Sequence, residues 1–227
     1  MKKIAAISMV KNEADVIESF VRHTLDFVDK LYIVNHQSSD DTPAVLQKLQ
    51  AEGLSLSVDD FTGTAQQQAE VMTQLLKKAV NDGAKIILPL DADEFLTADS
   101  GRAEDIRSLL ATLDESKVYS LPWVRYVLQG KAAAGFLPAQ AFWRERYPET
   151  LGKVVIGSQA AESTGLTIAQ GNHFAEVRKD GRSYVVEALS LQGLHLAHIP
   201  WRSNEQAVCK AANGWLANVA KYSVNTN

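Results

Sequence analysis

Asp91-Ala92-Asp93-Glu94 places three carboxylates within four residues, directly after the apolar run at 86–90. Carboxylates this close repel one another unless a cation or hydrogen-bond donors compensate them. Hard oxygen donors of this kind suit Mg2+ or Mn2+, ions that also bind nucleotide phosphates. The same residues would serve equally as an acidic N-cap or a solvated turn, and an Asp-x-Asp pair arises often by chance. Position at the end of a buried strand is what favours the metal reading. Two further polar clusters follow apolar runs in the same way: Lys11-Asn12-Glu13 after residues 4–10, and Asn35 to Asp41 after residues 31–34. In open parallel sheets, ligands bind at the carboxyl ends of strands, near a switch in strand order. The three clusters are therefore expected to share one crevice.

Other chemically able residues carry structural alternatives. His195 and His198 are three apart within Leu194-His195-Leu196-Ala197-His198-Ile199-Pro200. An extended segment sends odd and even positions to opposite faces, so only one of the two faces a site. His198 is the one favoured for a site, while His195 and His23 read as hydrogen-bonded structural histidines. Trp123, Trp143 and Trp201 are able to stack on a sugar or base, yet aromatic residues in strands usually belong to the core. Cys209 is the single cysteine and forms no intrachain disulfide or cysteine-zinc cluster.

Composition narrows the function classes. The 227 residues carry a formal charge of −4, with 46% hydrophobic and 22% charged residues. That is the balance of a globular domain. No global basic field exists to hold a polyanion, which argues against nucleic acid as a partner. The apolar stretch at the N-terminus is too short for a signal peptide or a membrane span. A cytoplasmic protein is the expectation, with peripheral contact at the inner face of a membrane left open. The sequence ends soon after its last helix, which leaves room for a longer natural chain.

The elements that must position these clusters follow from periodicity. Residues 3–10 form a continuous apolar run, expected to be a strand covered on both faces. Val16, Ile17, Phe20, Val21, Leu25 and Val28 have helical spacing, with Asn12 as the expected N-cap. Residues 31–34 form the next strand, and Thr42-Pro43 starts a helix that Gly53 closes. A weak strand at 54–60, a helix at 65–82 stopped by Gly83, and a strand at 85–90 repeat the unit. This pattern implies an α/β fold with a mostly parallel central sheet flanked by helices. After a helix at about 102–113 the texture becomes strand-rich, with strands expected at 117–128, 140–147, 153–157, 165–177 and 183–198. A last helix starts at Ser203, where Ser203 and Gln206 form a capping box. Its expected core stripe is Val208, Ala211, Ala212, Trp215, Leu216, Val219 and Tyr222. One domain over 1–227 is expected, in two halves, 1–115 and 116–227.

Met9-Val10-Lys11-Asn12-Glu13, the run from Ile33 to Thr42, and Leu90-Asp91-Ala92-Asp93-Glu94-Phe95-Leu96 resemble family 2 glycosyltransferases with the GT-A fold. The likeness extends to a bacterial branch whose final segment reads His-x-Pro-x-Arg-Ser, here His198-Ile199-Pro200-Trp201-Arg202-Ser203. The ordered match covers 4–96 and 195–215. The resemblance implies transfer of a sugar from a nucleotide-diphospho-sugar donor to an acceptor hydroxyl. It implies inversion at the sugar carbon, dependence on Mn2+ or Mg2+, and a role in bacterial surface glycan synthesis on a glycan or lipid-linked acceptor. Residues 1–115 would bind the donor, through Val10, Asn12, Glu13, Asn35, Ser38 and Asp40 for the nucleoside. Asp91, Ala92, Arg202 and Lys210 would meet the diphosphate, and Asp91, Asp93 and His198 the metal. Residues 116–227 would hold the acceptor, with His173 of Gly171-Asn172-His173 on that side. An inverting transfer needs a carboxylate to deprotonate the acceptor. Glu145, Glu149, Glu162, Glu176 and Asp180 lie in the right region, and Glu162 is the candidate base. The pattern departs at Asn35, where many members carry aspartate, and at His36. Two other readings remain: nucleotidyl transfer, which usually needs a glycine-rich basic loop after the first strand, and a catalytically silent nucleotide- or glycan-binding module.

Overall fold

The computed structural model describes residues 2–63, 67–128, 142–146, 148–203, 206–208 and 211–212. Its first half alternates strand and helix: β1 (Ile4–Val10), α1 (Ile17–Leu25), β2 (Lys30–Asn35), α2 (Thr42–Ala51), β3 (Leu56–Asp60), α3 (Gln68–Asn81) and β4 (Ile86–Pro89). Then follow β5 (Glu94–Ala98), α4 (Ala103–Thr112), β6 (Val118–Leu121), β7 (Trp123–Leu128), β8 (Phe142–Arg144), β9 (Lys153–Gly157) and α5 (Ser158–Thr164). β10 (Thr167–Ile168), β11 (Ala175–Lys179), β12 (Arg182–Val185), β13 (Leu189–Ser190) and β14 (Leu194–His198) complete the described strands.

The main sheet has seven strands in the order β13-β6-β9-β4-β1-β2-β3. β4, β1, β2 and β3 are parallel, and β9 alone runs against its neighbours β4 and β6. Successive strands β1, β2 and β3 extend to one side, and β4 returns to the other side of β1. The order therefore switches between β1 and β4, and the carboxyl ends of the strands at such a switch are where open α/β sheets form their ligand crevice. Strand alternation splits the core in two. Ile4, Ala6, Leu31, Ile33, Ile86 and Leu88 pack on one face with α1, α2 and α4. Ala5, Ile7, Tyr32, Val34 and Ile87 pack on the other with α3. Burial on both faces is why these strands read as continuous apolar runs.

Two smaller sheets flank the main one. β5-β14-β7-β8 lies on the first face, and the antiparallel β10-β11-β12 lies beside α3 on the second. Gly157, at the end of β9, has no room for a side chain, since an added methyl would run into the backbone carbonyl of Glu115. Gly157→Ala is expected to cost about 1–3 kcal/mol, measured as a lower urea midpoint.

Several sequence expectations need correction. Asn12 does not cap α1: it has φ +56, and the helix begins five residues later at Ile17. β5 and α5 were not anticipated. The stretch 117–128 breaks at Pro122 into β6 and β7, and 183–198 divides into β12, β13 and β14. Ser203 does cap the following turn, accepting from the Gln206 N–H at 3.0 Å, and Gln206 Oε1 accepts from the Arg202 N–H. Val208, Ala211 and Ala212 are exposed rather than core. Lys210, Cys209 and the stripe residues from Trp215 onward lie outside the described residues. No helix among the described residues is long and apolar enough to cross a membrane.

Candidate active site

The crevice is built from interlocked loops. The chain after β1 and the chain after β2 hold each other through side-chain to backbone hydrogen bonds. Asn12 N–H donates to Ser38 Oγ at 3.0 Å, and Ser39 N–H donates to Asn12 Oδ1 at 2.7 Å. Glu13 N–H donates to Thr42 Oγ1, while Asp40 accepts from the N–H groups of Ala14 and Thr42. Asn35 is buried at the end of β2, donates to Asp60 at 2.7 Å and accepts from the Ser38 N–H. The amide at this position thus ties β2 to the end of β3 and shapes the loop. His36 is also buried, and its Nε2 lies 2.8 Å from the Gly63 carbonyl. Asn12, Gln37 and Asn172, all in or beside this crevice, have positive φ, which non-glycine residues adopt at a cost that surrounding contacts must offset.

Asp91, Asp93 and Glu94 point to different partners. Asp91 receives Lys153 Nζ at 2.6 Å and Asn172 Nδ2 at 3.1 Å. Lys153 also lies 2.9 Å from Glu94 and donates to the Gly171 carbonyl. Both Lys153 and Glu94 are buried, and Glu94 Oε2 accepts the Asp91 N–H. Burial and the Asp91 charge raise the Glu94 carboxyl above its ordinary range, against the attraction of Lys153. Asp93 is buried on the other side of the turn, 3.3 Å from His198 Nε2 and 3.9 Å from Arg202 Nη1. The buried Arg202 guanidinium pairs with Glu13 and Asp15 and donates to the Ile199 carbonyl. Arg202 therefore fastens the segment after β14 to the loop after β1.

Among the described residues, no three His, Cys, Asp or Glu side chains are grouped to hold a metal ion. Asp93 and His198 come together as two adjacent donors, and Asp91 is turned to Lys153. Among the described residues, Lys153 pairs with Asp91 and Glu94, and Arg202 pairs with Glu13 and Asp15 and approaches Asp93, so five carboxylates gather around these two cations. This excess of negative charge, with an Asp oxygen beside an imidazole nitrogen, fits a divalent cation whose remaining positions go to phosphate oxygens and water.

The histidines divide as the extended reading expects. His195 Nδ1 lies 2.8 Å from Asp99, with Tyr126 Oη at 3.3 Å from its other nitrogen. His23 contacts the Leu96 carbonyl, and burial lowers its pKa. His198 stacks on Trp123 with ring centroids 4.3 Å apart. His173 rests with Nδ1 2.9 Å from the Gly152 carbonyl, edge-on to Trp123 at 6.1 Å. Glu162 is not brought to the crevice. Because β9 is antiparallel, Gly157 pairs with Ile86 at the amino end of β4, so α5 starts at the far end of the sheet and exposes Glu162. Glu145 and Glu149 instead flank the crevice, both beside Arg125.

Sequence reasoning missed Lys153, Asn172 and Asp15. Asn172 had a signal, since it lies within the Gly-Asn-His element noted for His173. Lys153 reads locally as the polar end of a Val-Val-Ile strand, and Asp15 as a residue ahead of a helix.

Comparison of this architecture with solved structures gives S. aureus TarS residues 1–349 at TM-score 0.51 and 13% identity, covering 74% of this chain and 51% of that one. The fold is GT-A-like. A mannosyltransferase from Pyrobaculum calidifontis, solved with GDP-Man and Mn2+, matches at TM-score 0.42 and 20% identity over 52% of this chain and 35% of its own. A 4-diphosphocytidyl-2C-methyl-D-erythritol synthase matches at TM-score 0.39 and 15% identity, with coverage of 70% and 77%. The chain spans about half the length of the TarS structure. No family model matches the sequence, and no curated protein matches it.

Proposed function

We propose that this chain is a glycosyltransferase that binds a nucleotide-diphospho-sugar at the carboxyl ends of β1, β2 and β4 and transfers its sugar to an acceptor hydroxyl. The observation that carries this reading is the meeting of the interlocked 11–14 and 35–42 loops with the Asp93–His198 pair at the switch in strand order. The fold is shared with TarS, which has also been solved with UDP.

In this reading the loops around Asn12, Asn35, Ser38 and Asp40 shape the nucleoside pocket, with Val10 and Glu13 at its floor. Asp93 and His198 are the residues that would hold Mn2+ or Mg2+, beside the donor diphosphate. A cation there supplies Lewis-acid stabilisation of the leaving diphosphate. Lys153 and Asn172 hold Asp91 and Ala92 in place at the turn, and Arg202 keeps Asp93 oriented while balancing Glu13 and Asp15. Glu145 and Glu149 are the carboxylates on the acceptor side in a position to take the hydroxyl proton. Inversion at the sugar carbon and service to a surface glycan belong to this proposal as well.

Incubation with UDP-, GDP- or CDP-sugars, Mn2+ and simple glycosides is expected to release the matching nucleoside diphosphate. Release of pyrophosphate from a nucleoside triphosphate, with no diphosphate from any sugar nucleotide, would replace this reading with nucleotidyl transfer.

A further inference from the structure

The four-stranded sheet carries a polar group that the donor site leaves unused. Register sets Glu94 of β5 opposite His198 of β14, and His198 opposite Arg125 of β7. Just past the next strand, β8, the Glu145 N–H donates to the Arg125 carbonyl at 3.0 Å. Paired residues of adjacent strands share a face and stand about 5 Å apart, so Arg125 lies one strand beyond the Asp93–His198 pair. Its guanidinium binds Glu149 at 2.6 Å and approaches Glu145 at 3.5 Å.

Two open indoles border this group. Trp201, three residues past His198, is 56% exposed, and the Arg125 guanidinium carbon lies 5.8 Å from its ring centroid. Trp143 is 67% exposed and pairs with Val127, which places it on the Arg125 face two residues before Glu145. Large indole faces left in water are unusual for a side chain that normally buries its ring. The carboxylates retain lone pairs that Arg125 does not use, since each has about four acceptor sites. Flat apolar faces beside paired carboxylates and one guanidinium match a neutral pyranose, which offers a C–H face to stack and adjacent hydroxyls to donate. An anionic ligand would meet the two carboxylates that stand at Arg125 among the described residues. An apolar ligand would leave the charged groups desolvated without partners.

We propose that Trp201, Trp143, Arg125, Glu145 and Glu149 form the acceptor subsite, and that it takes a neutral pyranoside. The direction of sugar transfer rests on the donor reading above, but pyranoside binding at this place does not.

The test is saturation-transfer-difference NMR on the full chain with methyl β-glucoside, methyl β-galactoside and methyl α-mannoside, with and without UDP and Mn2+. Ring-proton signals are expected for at least one glycoside, falling at least fivefold in Trp201→Ala and in Glu149→Gln. They should stay unchanged in Tyr184→Ala, an exposed ring on β12 outside the subsite. Circular dichroism of each variant confirms that the fold is kept. Absence of signal for all three glycosides in both nucleotide conditions overturns the proposal, as does a signal that survives Trp201→Ala. A nucleotide-induced thermal shift without any glycoside signal overturns this subsite alone. Glycoside signals without nucleotide binding leave the subsite standing and remove the donor reading.

Discussion

Lys153→Met is expected to lower folding stability by about 3–5 kcal/mol, or on the order of 10 °C in Tm for a chain of this length. Lys153 is buried with its ammonium 2.6 Å from Asp91 and 2.9 Å from Glu94, and it also donates to the Gly171 carbonyl. Methionine fills much the same volume but leaves two neighbouring carboxylates without their shared cation, one of them fully buried. Removing one member of a buried ion pair costs more than the pair itself contributes, because the remaining charge stays desolvated. Adding Glu94→Gln to Lys153→Met should recover part of the loss, since the two residues interact directly. Chemical denaturation of the wild type, both single variants and the double variant provides the cycle. A Lys153→Met midpoint equal to wild type would show that the cation is not what holds the Asp91 turn together.

Asp93→Asn is expected to remove the metal-dependent part of nucleotide binding while leaving the fold in place. The substitution keeps size and hydrogen-bonding capacity but takes away the charge beside His198 and Arg202. An amide is a weaker ligand than a carboxylate for a hard cation, and Asp93 is the carboxylate that stands beside His198 among the described residues. The loss should therefore exceed tenfold in nucleotide affinity at fixed Mn2+, with little change when Mn2+ is absent. Isothermal titration calorimetry with and without metal separates the two contributions. Equal affinities for wild type and variant in Mn2+ would take Asp93 out of the cation site.

The first half of the fold was legible because its strands are buried on both faces and its helices on one. Residues 4–10, 30–35 and 86–89 are short apolar runs, and the helices between them keep a helical stripe. β5 escaped notice for the opposite reason. Glu94-Phe95-Leu96-Thr97-Ala98 alternates buried and half-buried residues, but it begins with a glutamate inside an acidic turn. Its strand character comes from pairing with β14, about a hundred residues away, which local periodicity does not report. Asn12 shows a related limit. Its type suits a helix cap, yet the loop after β2 captures its backbone and side chain and delays the helix.

The site was legible to the same degree. Polar clusters at strand ends were expected to share one place, and the loops after β1, β2 and β4 are joined there through Asn12 with Ser38 and Ser39 and through Arg202 with Glu13 and Asp93. Which carboxylate faces which cation was not legible, because Lys153 and Arg202 reach their partners across 62 and 187 residues of sequence. Glu162 was misplaced because its position depends on β9 running antiparallel, a property of strand order rather than of composition.

The most direct test of the account is a thermal-shift comparison of UDP, GDP, CDP and their sugars on the wild-type chain, with and without Mn2+. A ligand at one hundred times its Kd stabilises the folded state by about 2.7 kcal/mol, which is several degrees in Tm at this chain length. The account predicts such a shift for one nucleotide family, larger in Mn2+ than without it. No shift with any nucleotide in either condition would contradict it.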